Sequence, residues 1–250
     1  DKPVSIIGSN KENVIVTNGS TGTVFHVKSD NVSLSQLTVK WANGTNDAGV
    51  LLNGTINCTL VEMNCKDNDH GIYLKPNSAY NIIRNNNAEN NNWSGIFASS
   101  SVYNNQITDN IVNDNGNYGI FFQSSSDNHI ENNTAKNNFV GIHVQHGSKN
   151  LIANNTAYSN VAHGIGLYFS SNNTVFNNIL FDQMRGITLL LAEHNMISSN
   201  FIHNNSENGM KLTSSNYTVI QDNDIRDNSF AAIQFQPSSF CTIDNNNCVN

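Results

Sequence analysis

Charge is the first thing this sequence lacks. Only 12% of its 250 residues are Asp, Glu, Lys or Arg, and the balance is acidic, formally −7 at pH 7 with a pI near 5.5. A chain without a basic patch has no electrostatic hold on a polyanion, which excludes nucleic acid as a partner. Long apolar runs are missing as well. No stretch approaches the ~18 consecutive apolar residues of a membrane span, and no charged leader with an apolar signal core follows Asp1. The sequence therefore predicts a soluble chain, either mature or cut from a longer one. Helical periodicity is absent too. Apolar residues come in pieces of about three to five with alternating polarity, punctuated by Asn, Ser, Gly and Asp, which is the grammar of strands.

What is present in excess is asparagine, roughly one residue in five against an ordinary share several times smaller. It falls into a repeat. Glycine followed by an aliphatic residue recurs about every 22 to 24 positions, at Gly49-Val50, Gly71-Ile72, Gly95-Ile96, Gly119-Ile120, Gly141-Ile142, Gly164-Ile165, Gly186-Ile187 and Gly209-Met210, with Ala232-Ile233 the last and weakest. A fixed period of that length signals a solenoid or propeller. One asparagine column keeps step with it at Asn86, Asn110, Asn133, Asn155, Asn178, Asn200, Asn223 and Asn246, each three residues after an aliphatic residue. A second runs through Asn81, Asn105, Asn128, Asn150, Asn173 and Asn195.

Coils stacked about 4.8 Å apart place equivalent residues over one another, so a recurring Asn can hydrogen-bond its amide up and down a column at each bend. Asn also tolerates the left-handed backbone of tight corners. The composition is thus explained without invoking function. The prediction is an all-β single domain over 1–250: a parallel β-helix of about ten coils with three short strands per coil, internal Asn ladders, and an interior filled by Ile72, Ile96, Ile120, Ile142, Ile165 and Ile187.

The repeat resembles that of the NosD-like and carbohydrate-binding/sugar-hydrolase (CASH) group, the right-handed β-helix also used by pectate lyases and alginate epimerases. The resemblance implies the right-handed sense and, from the Asn richness, an archaeal surface protein. It runs through nearly the whole chain but rests on scaffold residues, which specify fold and say little of activity. The first coils depart from it: Leu37 and Met63 occupy the slot held by Asn from Asn86 onward, and "WANGTNDAG" at 41–49 lengthens its coil. With no helix or loop capping "CTIDNNNCVN", the expectation is a piece of a longer chain or a subunit that self-associates by stacking.

Cys58 and Cys65 hold the same repeat positions as Cys241 and Cys248, so each pair is a candidate disulfide within its coil, against the alternative of small buried hydrophobes. Among eleven glycosylation sequons, of which roughly eight arise by chance at this composition, Asn18, Asn43, Asn53 and Asn92 are the candidates for exposed glycans. NosD-like proteins are associated with copper, but the eight histidines form no H-x-H or H-x-x-x-H pair and Met is sparse, so neither a metal site nor a cofactor is predicted.

If the aliphatic residue after each glycine points inward, its successor points out. That outward row reads His26, Leu51, Tyr73, Phe97, Phe121, His143, Gly166, Thr188, Lys211, Gln234, and a second row two residues on reads Lys75, Ser99, Gln123, Gln145, Tyr168, Leu190, Thr213, Gln236. Tyr73, Phe97 and Phe121 form an exposed aromatic ladder leading to His143. With Gln123, Gln145 and Tyr168 it is the candidate carbohydrate-binding surface, since sugar rings stack on aromatic faces and hydrogen-bond to amides. Around the gap at Gly166 stand His143, His146, His163, Tyr168 and Arg185. As catalytic residues, Arg185 would neutralise a uronate carboxylate while His143, His163 or Tyr168 removed the adjacent proton. Against catalysis, neither row holds an Asp or Glu, and the Asp-Pro-His motif of alginate epimerases and the paired Asp of polygalacturonases are absent. A hydrolase would need Asp182, Glu193 or Glu207 from corners. The sequence favours an extracellular cell-surface protein binding glycan, such as an adhesin or envelope component. A polysaccharide lyase or epimerase acting on the same face and a structural subunit stacking into a filament are the alternatives.

Overall fold

The computed structural model describes residues 3–19 and 21–249. Among them every strand pairing is parallel and there is no helix, because each short apolar piece finds its partner one coil away. Three faces result. The glycine face stacks ten strands from Phe25–Val27 to Ala231–Gln236, and the second face eleven, from Ser5–Ile7 to Thr242–Asp244. The third face is a three-stranded and a six-stranded sheet, joined through single bridges at Asn64, Asn87, Ile111 and Thr134. This is the predicted solenoid of about ten coils.

Register puts like over like. Ile72, Ile96, Ile120, Ile142, Ile165 and Ile187 are consecutive partners across six coils, each 0% exposed, and each such burial stabilises the fold by about 1.5–3 kcal/mol. The glycine before them is needed for space. A Cβ on Gly141 would lie 2.6 Å from the Gly164 carbonyl oxygen and 3.0 Å from the Asn160 amide nitrogen, so the coils can approach only where that position has no side chain.

The corners follow one rule. The inward Asn is preceded by a left-handed residue, φ 49–58°, at Asn85, Asp109, Asn132, Asn154, Asn177, Ser199, Asp222 and Asn245, short polar types that tolerate that region. In the Asn81 column the same place is taken by Tyr80, Asn104, Asp127, Lys149, Asn172 and His194, so the ladder holds larger side chains in that conformation too. The left-handed residue is thus the neighbour of the ladder Asn. The ladder Asn faces in: the backbone N–H and the side-chain Nδ2 of Asn86 both donate to Asn110 Oδ1 at 3.0 Å, and Nδ2 also donates to the Leu60 carbonyl at 3.0 Å. Asn110, Asn133, Asn155, Asn178 and Asn200 repeat the pattern through Asn223 to Asn246. The Asn81 column does likewise. A third ladder, absent from the sequence analysis, runs Asn68, Asn91, Asn115, Asn138, Asn160, Gln183, Asn205, Asn228.

The candidate disulfides do not form. All four cysteines are free. Cys58 takes the ladder position at its corner, donating its N–H to Asn81 Oδ1 and setting Sγ against the Ser29 carbonyl, 3.5 Å away. Cys65 lies on the third face in register with Val39, and the fully buried Leu60 occupies the strand between the two. Cys241 likewise directs Sγ at the Ser215 carbonyl, with Cys248 beyond Ile243 on the next face. Equivalent repeat positions place these thiols on different walls of the coil. Asn18, Asn43, Asn53 and Asn92 are all exposed, although Asn53 Nδ2 contacts His26 Nε2 at 3.2 Å, and the Ser20 of the Asn18 sequon lies outside the described residues.

Gln183 is the flaw in the third ladder. It accepts from Asn160 Nδ2 at 3.1 Å, but Asn205 Oδ1 in the next coil is buried with no partner. Gln183→Asn supplies the missing donors and should raise stability by about 1 kcal/mol, the usual net value of a buried hydrogen bond. Asn133→Ala orphans the Asn110 donors and the Ile107 carbonyl, both in the preceding coil, and should cost at least ~3 kcal/mol. Chemical denaturation midpoints check both, and an Asn133→Ala midpoint equal to that of the parent would refute the ladder's role.

Candidate functional site

On the glycine face the outward row is in register from Leu51 through Tyr73, Phe97, Phe121, His143, Gly166, Thr188 and Lys211 to Gln234. Its rings stack: Tyr73 on Phe97 with centroids 4.7 Å apart, Phe97 on Phe121 at 5.3 Å, Phe121 by His143 at 5.4 Å. The residue before each glycine leans into the same stack, His70 against Phe97 at 5.0 Å and Tyr118 against Phe121 at 4.5 Å and His143 at 5.3 Å. The ladder is therefore covered, contrary to the expectation of an exposed row: Tyr73, Phe97, Phe121 and His143 are only 9, 8, 6 and 4% exposed. Rings one coil apart shield each other's faces, and His70 and Tyr118 of the flanking column stack against them as well.

What the row offers is the floor of a groove of about 520 Å³. Phe97, Phe121, Tyr118 and His70 line its base, the exposed Trp93 stands beside them, and Gln123 and Gln145 come from the far ends of their strands. Asn43, Thr45 and Asn46, from the lengthened coil, make the opposite wall with Asp69. Two carboxylates pin that wall: Asp47 Oδ2 accepts the Gly22 N–H at 2.6 Å and Asp69 Oδ2 the Asn46 N–H at 2.7 Å. Burial raises the Asp69 carboxyl above its ordinary value, with the Asp47 charge adding and the Asn46 hydrogen bond opposing. Trp93, Tyr118, His70, Asp69 and the 43–46 wall were missed by sequence reasoning. The signal was the column before the glycines, which flags His163 and Arg185 and continues upstream through Tyr118 and His70.

Beyond Gln145 lies a polar cluster. Tyr168 meets the His143 ring edge-on at 4.7 Å, and its hydroxyl is 2.9 Å from His163 Nε2. His163 Nδ1 is 3.2 Å from Thr188 Oγ1. His143 Nδ1 is buried without a partner, resting over the next coil where a Cβ on Gly166 would approach it to 2.7 Å. Arg185 does not stand free as expected. It is ion-paired to Glu207 at 2.5 Å, because the corner residue preceding Asn208 reaches back over the neighbouring coil. His146 belongs elsewhere, stacked on Phe169 at 4.9 Å. The structure thus brings Gln123, Gln145, Tyr168, His143, His163 and Arg185 onto one face, with Tyr73 beneath the stack and away from the groove lining.

Burial drives the three histidines neutral: His143 is pushed down to about 3, with His163 contributing, and His70 and His163 to about 4, the latter helped by Arg185. Among protons available near neutrality, a neutral imidazole accepts and a phenol donates. Tyr168 and Tyr118 are both held above the ordinary phenol range by burial. The cluster is equipped for proton transfer, and the groove for stacking and hydrogen bonding.

A family model described as a right-handed beta helix region matches residues 4–157, 48–200 and 147–250. Among solved structures, the A-module of the mannuronan C-5 epimerase AlgE4 of Azotobacter vinelandii is similar at 16% identity and a TM-score of 0.82, over 100% of this chain and 87% of that one. A variant of the periplasmic alginate epimerase AlgG is similar at 16% identity and a TM-score of 0.79, over 89% and 62%. The catalytic domain of a GH87 alpha-1,3-glucanase in complex with nigerose gives 14% identity and a TM-score of 0.68, over 96% and 60%. No curated protein matches in sequence.

The depressed histidines make stability pH-dependent. Unfolded, they take up protons near 6.5; folded, they resist until about 4 or 3. Their contribution is complete above pH 6.5 and is lost as pH falls through the window down to the folded values. The melting temperature should drop between pH 6.5 and 4, and His143→Gln should flatten that drop. An unchanged slope in the variant would contradict the assignment of His143 as buried and neutral.

Proposed function

This chain belongs to the right-handed β-helix family, and from that premise we propose that it acts on polysaccharide on its glycine face, as a lyase or epimerase of uronate units. The observation that carries this reading is the Tyr168–His163–Thr188 hydrogen-bonded chain beside the unpartnered His143, at the end of an aromatic-floored groove. Similarity to two alginate epimerases and a glucanase supports a carbohydrate ligand. Proton abstraction beside a uronate carboxylate needs a base and a counter-charge for the enolate-like intermediate. Here Tyr168 and the neutral His143 hold the proton-transfer positions. In the tautomer that carries its hydrogen on Nδ1, His163 donates to Thr188 and accepts the Tyr168 hydroxyl proton at Nε2. Among the described residues no carboxylate pair spans the cluster, so glycoside hydrolysis is the weaker chemistry.

A purely binding role, as in an extracellular adhesin or envelope component, is favoured by one observation: Glu207 neutralises Arg185. The same assay separates the two. Incubated with uronate polysaccharides in heavy water, the protein should incorporate deuterium at C5 or release unsaturated uronate, read by NMR and ultraviolet absorbance. Tyr168→Phe should lower the rate by about 10²–10⁴-fold with little change in affinity. Binding with neither deuterium uptake nor cleavage across the uronate polymers would leave the binding role in place of the enzyme.

A further inference from the structure

The groove lining and the late coils of the glycine face differ in charge. At the early coils of that face the groove presents Asp69, backed by Asp47, together with Asn43, Asn46, Gln123, Gln145 and Trp93, and among the described residues no cation lines it. Lys75, at the far end of the strand that follows Asp69, lies outside the lining with its ammonium 5.8 Å from the Tyr73 ring centroid. At its late coils the outward row carries Lys211, which makes no ion pair among the described residues, in register with Thr188 and close enough to His163 to act on its charge. Arg185 lies on the neighbouring coil in register with His163. Phe121 and Lys211 are four coils apart in one row, about 19 Å at the coil spacing. A glycan lying along the axis through the groove therefore meets a hydrogen-bonding lining with one carboxylate and no cation first, and a cationic stretch last.

Resting on the uronate reading above, we infer that the substrate is a mixed polymer, in which a uronate seated at His163, Thr188, Arg185 and Lys211 is preceded on one side only by uncharged sugars in the groove. The inference follows from costs that differ at the two ends. A uronate against Asp69 would put two carboxylates together in a partly desolvated groove, where like charges are costly. An uncharged sugar there can stack on Trp93 and hydrogen-bond to Asn43, Asn46 and the two glutamines. At the late coils the preference reverses, because Lys211 makes no ion pair among the described residues and Glu207 pairs with Arg185. The face thereby distinguishes the two directions of the chain.

Hexasaccharides on glucan and mannan backbones test this, each prepared unoxidised, oxidised at C6 in every unit, or oxidised in one terminal unit at either end. In calorimetric titration, one of the two singly oxidised isomers should bind about tenfold tighter than both the unoxidised and the fully oxidised chain, a difference of ~1.4 kcal/mol. Lys211→Met should remove that advantage, and Asp69→Asn should improve the fully oxidised chain by several fold. Tightest binding by the fully oxidised chain would overturn the mixed-polymer inference and leave the uronate reading standing. Equal binding of both end isomers would remove directionality and overturn it too. Preference for the unoxidised chain, or no binding by any member, would remove both.

Discussion

Everything in this protein depends on the amide hydrogen bond repeated at the coil spacing. A parallel strand pair aligns its peptide groups between neighbouring coils, and Asn, whose side chain is a peptide group on a short stem, extends the same bonding into the corners. One Oδ1 takes two donors from the coil before it, and one Nδ2 gives to a carbonyl and to the next Oδ1. Corners that would otherwise bury unsatisfied backbone groups, at about 1–3 kcal/mol each, are closed without water or charge. That is why the chain can be so poor in ionisable residues. The interior needs only narrow columns of Ile, Leu, Val and Ala, because the corners carry the polar load.

The same regularity decided what could be read from the sequence. The period, the glycine column and the Ile72-to-Ile187 stack are legible because a buried position tolerates few residue types and so repeats nearly unchanged. The third ladder was illegible for the opposite reason: Asn91 stands among Asn85, Asn86, Asn87, Asn90 and Asn92, and a column of one residue type disappears against a background of the same type. The aromatic row shows another limit. Alternation tells which side of a sheet a residue faces, but coverage comes from neighbours one coil away, and Tyr73 is shielded by Phe97 and His70. Cysteine spacing failed likewise. Duplicated positions identify equivalent sites in two coils, whereas bonding depends on which wall each thiol faces.

A solenoid of this kind separates stability from chemistry. The inward residues and corners hold the coils, and the outward positions beyond the buried aromatic stack are free to vary without loosening them, so each coil adds one position to a linear array. Charge along such an array becomes a one-dimensional pattern. Asp69 and Lys211 stand at opposite ends because they belong to different coils, and no folding of the chain can bring them together. A ligand spanning the face must match the order of those charges as well as their sign, which gives a repetitive scaffold the means to recognise direction.

The meeting point of the two halves is set by a missing side chain. In the outward row from Leu51 to Gln234, Gly166 alone has no Cβ, and a Cβ there would reach within 2.7 Å of His143 Nδ1. With the space open, the imidazole tips over the next coil, loses its hydrogen-bond partner and is desolvated, which is what drives it neutral. Tyr168, two residues further along the same strand, is thereby set edge-on to His143 and within reach of His163. Neutrality of His143 is thus a consequence of glycine in the neighbouring coil. The notch belongs to the polar cluster for the same reason that the glycine column belongs to the core: in both, the close approach of adjacent coils is permitted only where a side chain is absent.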